Sequence, residues 1–436
     1  MAQLVVFFSL FLLDISLEPR HQSPIEAQGE PATAAAPKEA AMDIMAKTLK
    51  FINRRFPLDE WKERMRDGRK RPQIPAGTIA QAVVEMVPRR QSSLLEVDQN
   101  GRLPEARWWF GSSRDMVVSD TTLSRSLSGF ALEPVREALW GIAAGICKRR
   151  MTRVELPSGR RARIANLDGS QWGDFPGCVL TLMGRRVDIV AGYEMSRGRG
   201  HELETSRKLL RDARKRLGKG FVDLLAVDAL YMTERDFKWA LEQGGYHLVV
   251  KTTDERLSVI QDARGLFFGA AAGCTEGVER VEGLDTERMA RYSVTAAGGF
   301  QWHGLTVKVA HVTERFLKPK KAHPKMTEFW VVTTDEQLSA EDMRQLAHLR
   351  WSIENRTFRR LNHLVQSKRR LTKDPHAREA LLGLWFIGLN LFGLFLAWIR
   401  MGRLNPRLKP VKKTWKWFCE LFKRATVVAY CSVRSP

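Results

Sequence analysis

The sequence predicts an α/β protein, a mixed sheet flanked by helices with a helical region ahead of it. Two observations carry this prediction. From Arg161 onward, apolar runs of strand length and amphipathic stretches follow in the order strand, strand, strand, helix, strand, helix, strand. Hairpin strands followed by alternating helix and strand build a mixed sheet covered by helices. Ahead of this, from Met42 to Lys148, apolar residues recur mostly at helical spacing, and 436 residues exceed one ordinary domain.

The elements follow in order. Residues 1–41 hold an apolar run, Leu4 to Leu13, with no cation before it and no small-residue cleavage site after it, then a Pro- and Ala-rich stretch. This reads as a poorly structured extension and a poor secretory signal. Residues 42–150 form the helical region, with Ile44, Met45, Leu49 and Ile52 at its start and helical runs over Ile79 to Val84 and Leu132 to Ile146. Ser119-Asp120 can cap a helix over Thr121 to Leu127, Gly129 breaks it, and Glu133 to Ile146 forms the next. Helix, short break, helix fits a DNA-reading helix-turn-helix or plain packing equally, and 42–150 is assigned as a DNA-binding domain.

Residues 158–253 read as the first part of the α/β core. Ala162 to Leu167 is a strand, and Gly177 to Met183 pairs with Val187 to Tyr193 around Gly184-Arg185-Arg186. A charged helix covers Glu202 to Leu217, and Phe221 to Val227 is apolar enough for a strand buried on both faces. Thr233 caps Glu234 to Gln243, and Tyr246 to Lys251 is the next strand. Residues 254–335 are Gly-rich with β-like runs at Ser293 to Thr295, Leu305 to Val312 and Glu328 to Thr334, a β-rich insertion. Residues 336–404 return to helix. Leu346, Leu349, Ile353, Leu361 and Leu364 keep one apolar face. The stretch Ala380 to Ile399 is long enough to span a bilayer. Its position after the last core helix, with Asn390 as a polar break, predicts a buried core helix instead. Residues 405–436 form a basic tail in which Lys409, Lys412, Lys413, Lys416, Lys423 and Arg424 interleave with Trp415 and Trp417. That mixture suits nucleic acid or a solvated basic helix.

Charge narrows the partner. There are 71 Lys plus Arg against 49 Asp plus Glu, a formal net charge of +22. Such an excess seeks a polyanion, for which nucleic acid is the first reading and anionic membrane the rival. The five cysteines (Cys147, Cys178, Cys274, Cys419 and Cys431) are scattered and lack a C-x-x-C pair. A disulfide framework and a structural zinc site are disfavoured, and a reducing cytoplasm fits.

Three acidic positions carry the chemistry. Asp168 follows Ile164-Ala165-Asn166-Leu167 at the end of the first strand, where Asp168-Gly169 can also be a turn pair. Asp228 follows the apolar Leu224-Leu225-Ala226-Val227. If these strands are neighbours, the two carboxylates converge outside the strand ends, where ligands collect. Two converging anions without nearby His or Cys call for a hard divalent cation, Mg²⁺ or Mn²⁺. Arg350 and Glu354, in Arg350-Trp351-Ser352-Ile353-Glu354-Asn355, share a helix face; they are either a surface ion pair or a phosphate-binding Arg beside a third carboxylate.

These three sites resemble the Asp-Asp-Glu set of insertion-sequence transposases with a ribonuclease-H-like catalytic core, and within them the group whose core carries a β-strand insertion before the final Glu. The resemblance runs from about Arg161 to Leu396. Its most specific part is Arg350 to Asn355, followed by the apolar run ending at Asp228 with Gly244-Gly245-Tyr246-His247-Leu248-Val249-Val250-Lys251 after it. The family's helix often reads Tyr, then Arg three later, Glu four after that and Lys seven beyond. Here Arg350 and Glu354 fit, while Ala347 and Leu361 stand at the Tyr and Lys places, and Arg359 or Arg360 offers a cation nearby.

The resemblance implies a DNA transposase that cleaves and rejoins DNA ends using two Mg²⁺ or Mn²⁺ ions. Asp168 would bridge both ions, and Asp228 and Glu354 would each hold one. Arg350 would orient a phosphate. Trp351 would stack on a base or pack in the core, and Lys251 would face DNA or solvent. The implied partners are transposon ends and target DNA, bound by a dimer in the bacterial cytoplasm at the nucleoid, with no membrane. The alternative is a catalytically inactive or domesticated DNA-binding derivative.

Overall fold

The computed structural model describes residues 50–52, 54, 56, 58–102, 118–184, 187–196, 198, 200–269, 276–317, 325–400, 416 and 419–420. The expectations for the 1–41 extension, for Ile44, Met45 and Leu49, for Arg185 and Arg186, and for the basic tail other than Lys416 fall outside these residues. Lys416 is exposed.

Helices α1 (Leu58–Arg64), α2 (Ala76–Arg89), α3 (Leu94–Gly101), α4 (Asp120–Ser128) and α5 (Leu132–Lys148) precede the strands. Ser119 caps α4 as its sequence suggests, its hydroxyl accepting from the Thr122 N–H at 3.2 Å. Strands β1 (Arg153–Glu155), β2 (Arg161–Trp172), β3 (Phe175–Leu182) and β4 (Ile189–Met195) lead to α6 (Glu202–Leu217), β5 (Leu224–Val227), α7 (Glu234–Trp239) and β6 (His247–Thr252). Then come α8 (Ser258–Phe268), β7 (Val278–Asp285), β8 (Ala290–Trp302), β9 (Leu305–Phe316) and β10 (Met326–Thr333). Helices α9 (Ala340–Ser352), α10 (Arg359–Val365) and α11 (Pro375–Arg400) follow.

The strands form one ten-stranded mixed sheet in the order β4-β3-β2-β5-β6-β10-β9-β8-β7, with β1 paired to β2. Strands β2, β5 and β6 are parallel and the remaining pairings antiparallel. The order of the first five and the helices on both faces give the ribonuclease-H-like arrangement that the sequence suggested. The strands of 254–335 extend this same sheet, because β10 pairs with β6 along Trp330 to Thr333. Helix α8 and strand β7, which the glycine-rich sequence concealed, complete that extension.

Three apolar clusters cover the sheet. Helices α6, α7 and α8 lie on one face, burying Leu209, Phe237 and Ile260 with Leu225, Val250 and Val332. Helix α9 lies on the other, burying Met343, Leu346 and Ala347 with Ile164, Leu224 and Val331. A third cluster joins α2, α4, α5, α10 and α11 to Trp172, Val179 and Tyr193 of the sheet. The helices before β1 thus share their core with the sheet.

Helix α11 is the long apolar stretch, and 94% of its most apolar window is buried inside the protein. It is a core helix. Gly388 lets it approach α2 closely, since a Cβ there would sit 2.6 Å from the Val84 carbonyl oxygen. Asn390, fully buried, accepts from the Val190 N–H at 2.9 Å and donates to the Val190 carbonyl at 2.8 Å. The one polar residue of the Ala380 to Ile399 stretch thereby satisfies a backbone pair of β4, the edge strand, that water would otherwise have to meet. Arg378, also buried, donates to the carbonyls of Ser367 and Arg369, and burial pulls its pKa down to about 10.

Candidate active site

The site lies where β2 and β5 end their pairing. Parallel register joins Ile164 to Leu224, Ala165 to Leu225 and Asn166 to Ala226. Asp168 and Asp228 each stand two residues past the Asn166/Ala226 pair, at the same level of neighbouring strands. Asp168 differs from its expected place in one respect. It is not a strand terminus, because β2 continues to Trp172 with Asp168 opposite Val179 of β3. Asp168-Gly169 is extended backbone, and the turn falls at Gly173-Asp174. At Asp228 the chain does leave the sheet; its side chain accepts from the Leu230 N–H at 3.0 Å and starts a 3-10 turn, Ala229–Tyr231.

Helix α9 brings the third sequence element across. Ser339 and Asp342 form a reciprocal cap at its start. Near its end, the buried Asn166 side chain donates to the Leu349 carbonyl at 2.7 Å. That bond fixes the helix one residue before Arg350 and two strand positions from Asp168. The Arg350 guanidinium then donates to Asp168 Oδ2 at 3.2 Å and to Glu354 Oε1 at 3.4 Å. Glu354 lies on a π-helical turn, Ile353–Phe358, between α9 and α10, and its side chain is 52% exposed. Such wide turns are frequent at functional sites because they re-aim side chains.

A carboxylate not singled out in the sequence joins the two aspartates. Asp168, Glu202 and Asp228 each offer an oxygen, and the three oxygens lie within 4.8 Å of one another. Glu202 opens α6 and packs on Gly169, where a Cβ would stand 2.5 Å from its carboxyl carbon. Nothing local distinguishes Glu202 from an ordinary acidic residue in a helix's first turn, where Glu204 also sits. Only the packing of α6 across β2 reveals it.

Electrostatics mark the cluster as short of positive charge. Burial, with Glu354, Asp228 and Glu202 adding to it against Arg350, pushes the Asp168 carboxyl up to about 7. Burial and the Asp228 charge likewise raise Glu202, against a hydrogen bond from the Gly169 N–H. A divalent cation would relieve both. The donors fit one: all are carboxylate oxygens, the set that hard cations such as Mg²⁺ and Mn²⁺ take. Burial pushes the nearby Cys178 thiol up to about 12.

The remaining sequence-predicted residues surround this cluster. Lys251, at the end of β6, sits over the rings of Phe329 at 3.9 Å and Trp351 at 4.1 Å. Burial, with Arg350 and Arg288 close by, pulls its pKa down to about 8. Trp351 is half-buried, with the Arg288 guanidinium 5.6 Å from its ring centre. Arg359 is exposed and Arg360 half-buried. Ala347 and Leu361, the departures from the family's helix pattern, are core residues at 2% and 0% exposure, so neither reaches the site.

A charged network fixes α9 to the β7–β10 extension. Glu314 of β9, fully buried, accepts from Arg344 Nε at 2.8 Å and contacts His348 Nε2 at 2.7 Å. Burial opposes its charge, but the His348 hydrogen bond and the charges of His348, Arg344 and Arg288 bring its pKa down to about 2.

Comparison with known proteins gives the family. Residues 178–391 match the transposase DDE domain. No curated protein matches the chain. That match runs from β3 into α11 and takes in Asp228 and Glu354, with β2 and Asp168 just ahead of it; with the ribonuclease-H-like strand order, this chain belongs to the insertion-sequence DDE transposases.

Proposed function

We propose that this transposase cleaves DNA at the ends of its own element and transfers the freed strand to target DNA, with Asp168, Asp228 and Glu354 as its catalytic carboxylates. The observation that carries the reading is the level placement of Asp168 and Asp228 on adjacent parallel strands, with Arg350 linking Asp168 to Glu354.

When bound, divalent ions would supply positive charge to the attacking and leaving oxygens of an in-line displacement at phosphorus. The protein's own groups set the geometry. Asp168, buried, with Asp228 close by and Glu354 linked to it through Arg350, would hold the ions together with those two carboxylates. Arg350 presents a planar fork that can leave its carboxylates for a DNA phosphate, which it would orient by paired hydrogen bonds. Lys251, held on aromatic faces rather than in an ion pair, is free to meet a second phosphate. Arg359 and Arg360 extend the positive surface along the next helix. The net charge of +22 suits transposon ends and target DNA together. Holding two ends at once calls for two subunits, so the working form is a dimer on DNA, at the nucleoid.

A second reading, a DNA-binding derivative that no longer cuts, draws on Ala347 and Leu361, whose burial withdraws two of the family's polar positions from the site. The test is cleavage of supercoiled DNA carrying the element's native flanking ends, with Mg²⁺ or Mn²⁺. Wild-type protein is expected to nick and then join. Asp168→Asn, Asp228→Asn and Glu354→Gln are each expected to bind ends and leave them intact. Cleavage surviving any of these substitutions rejects the assignment. End binding without cleavage by wild type supports the derivative.

A further inference from the structure

We propose that Glu202 is a fourth carboxylate of the metal centre, and that Asp168, Glu202 and Asp228 take the first divalent ion before Glu354 engages. This rests on the metal-dependent reading given above and assigns which of the chain's own residues meet the ion first.

Four observations carry it. The close oxygen triad consists of Asp168, Glu202 and Asp228, and Glu354 is not in it. Glu354 is linked to Asp168 by Arg350, which donates to both, and is half exposed on its π-turn. The triad is also prebuilt from behind. The Ser206 hydroxyl donates to the Glu202 carbonyl at 2.8 Å and lies 3.1 Å from Cys178 Sγ, and the Tyr231 hydroxyl donates to Ser206 Oγ. Tyr231 closes the 3-10 turn that Asp228 begins, so one chain of bonds ties the Glu202 turn, β3 and the Asp228 turn together. Gly169 supplies the third feature: only a residue without a Cβ leaves the notch that the Glu202 carboxylate fills, beside Asp168. Finally, among the described residues no Lys or Arg forms an ion pair with Glu202 or Asp228, whereas Asp168 has Arg350. Three converging carboxylates share one cation, an imbalance that a divalent ion corrects.

Ordered engagement follows from this asymmetry. The sheet-side triad already has its three oxygens within 4.8 Å of one another. Glu354 can add its oxygen only after Arg350 lets go of it, which the arrival of a DNA phosphate would favour.

Mn²⁺ binding to the full chain without DNA, followed by electron paramagnetic resonance, tests the proposal. Glu202→Gln is expected to weaken the Kd by at least about tenfold, and Glu354→Gln by less than about threefold. Asp168→Asn is the control for the centre as a whole and is expected to weaken binding at least as much as Glu202→Gln. If Glu202→Gln binds Mn²⁺ like wild type while Asp168→Asn is impaired, the role of Glu202 is overturned and the wider reading stands. If both bind like wild type, the wider reading fails too. Should Glu202→Gln not fold, Gly169→Ala replaces it, since the added methyl displaces the Glu202 carboxylate without removing it. The same tenfold loss is expected there, and unchanged affinity overturns the proposal.

Discussion

The Arg350 guanidinium donates to Asp168 Oδ2 at 3.2 Å, across the boundary between helix α9 and strand β2. Under the proposed function this guanidinium would orient a DNA phosphate beside Asp168. Arg350→Ala is therefore expected to lower cleavage about a hundredfold, the usual cost of losing one oriented donor at a reacting phosphate. It should also reduce the slope of log K against log salt for end binding by about one. Arg350→Lys keeps the charge without the planar fork and should restore the slope but little of the rate. Filter binding across a salt series and single-turnover cleavage read the two effects separately.

Acidity at Asp168 sets a pH dependence. Its carboxyl is raised to about 7 from an ordinary value near 3.8. The folded protein therefore binds the extra proton between those values, and without divalent ions this group favours the fold less as pH rises through that window. A divalent ion must displace the proton. Mn²⁺ affinity should climb from pH 6 toward about pH 8 with proton release, and Asp168→Asn should abolish the climb. Calorimetry in two buffers of different ionisation enthalpy measures the released proton.

The Glu314 network makes a stability prediction away from the chemistry. Glu314→Gln removes the buried counter-charge that Arg344 and Arg288 share, leaving Arg344 only Asp285 at 2.7 Å, and should destabilise the protein by roughly 3 kcal/mol. Because the Glu314 carboxyl is held down at about 2, its contribution is fully present above its ordinary value of 4.5 and is lost as pH falls from there toward 2. Urea unfolding of wild type and Glu314→Gln should accordingly converge at acid pH.

Asn390 is the polar group that sequence alone left ambiguous between core and lipid. Asn390→Leu strands the Val190 N–H and carbonyl on the edge strand and should cost about 3 kcal/mol, although it makes α11 more apolar. A helix in lipid would be stabilised by the same change. Urea unfolding gives the sign.

Much of this was legible in the residues. The spacing 228 − 168 = 60 in the sequence equals the register offset between β2 and β5, as in Ile164 opposite Leu224. The apolar runs marked both as buried strands but left open whether they are neighbours; the parallel pairing of β2 with β5 sets the two aspartates side by side. Helix α6 was readable to both ends because its apolar positions recur at helical spacing. What stayed hidden depends on contacts between distant segments. Asp168-Gly169 looks like a turn locally and is extended only because β3 pairs beyond it. Glu202 looks like any first-turn acid until α6 is laid across Gly169. Strand β7 alternates half-buried and exposed residues with little apolar signal, and β8 alone gives it a partner.

Anomalous diffraction from crystals of the full-length protein soaked in Mn²⁺ tests the central claim most directly. The account predicts a manganese peak between β2 and β5, within roughly 2.5 Å of oxygens from both Asp168 and Asp228. A peak held by other groups, or bound manganese nowhere near these two carboxylates, would contradict it.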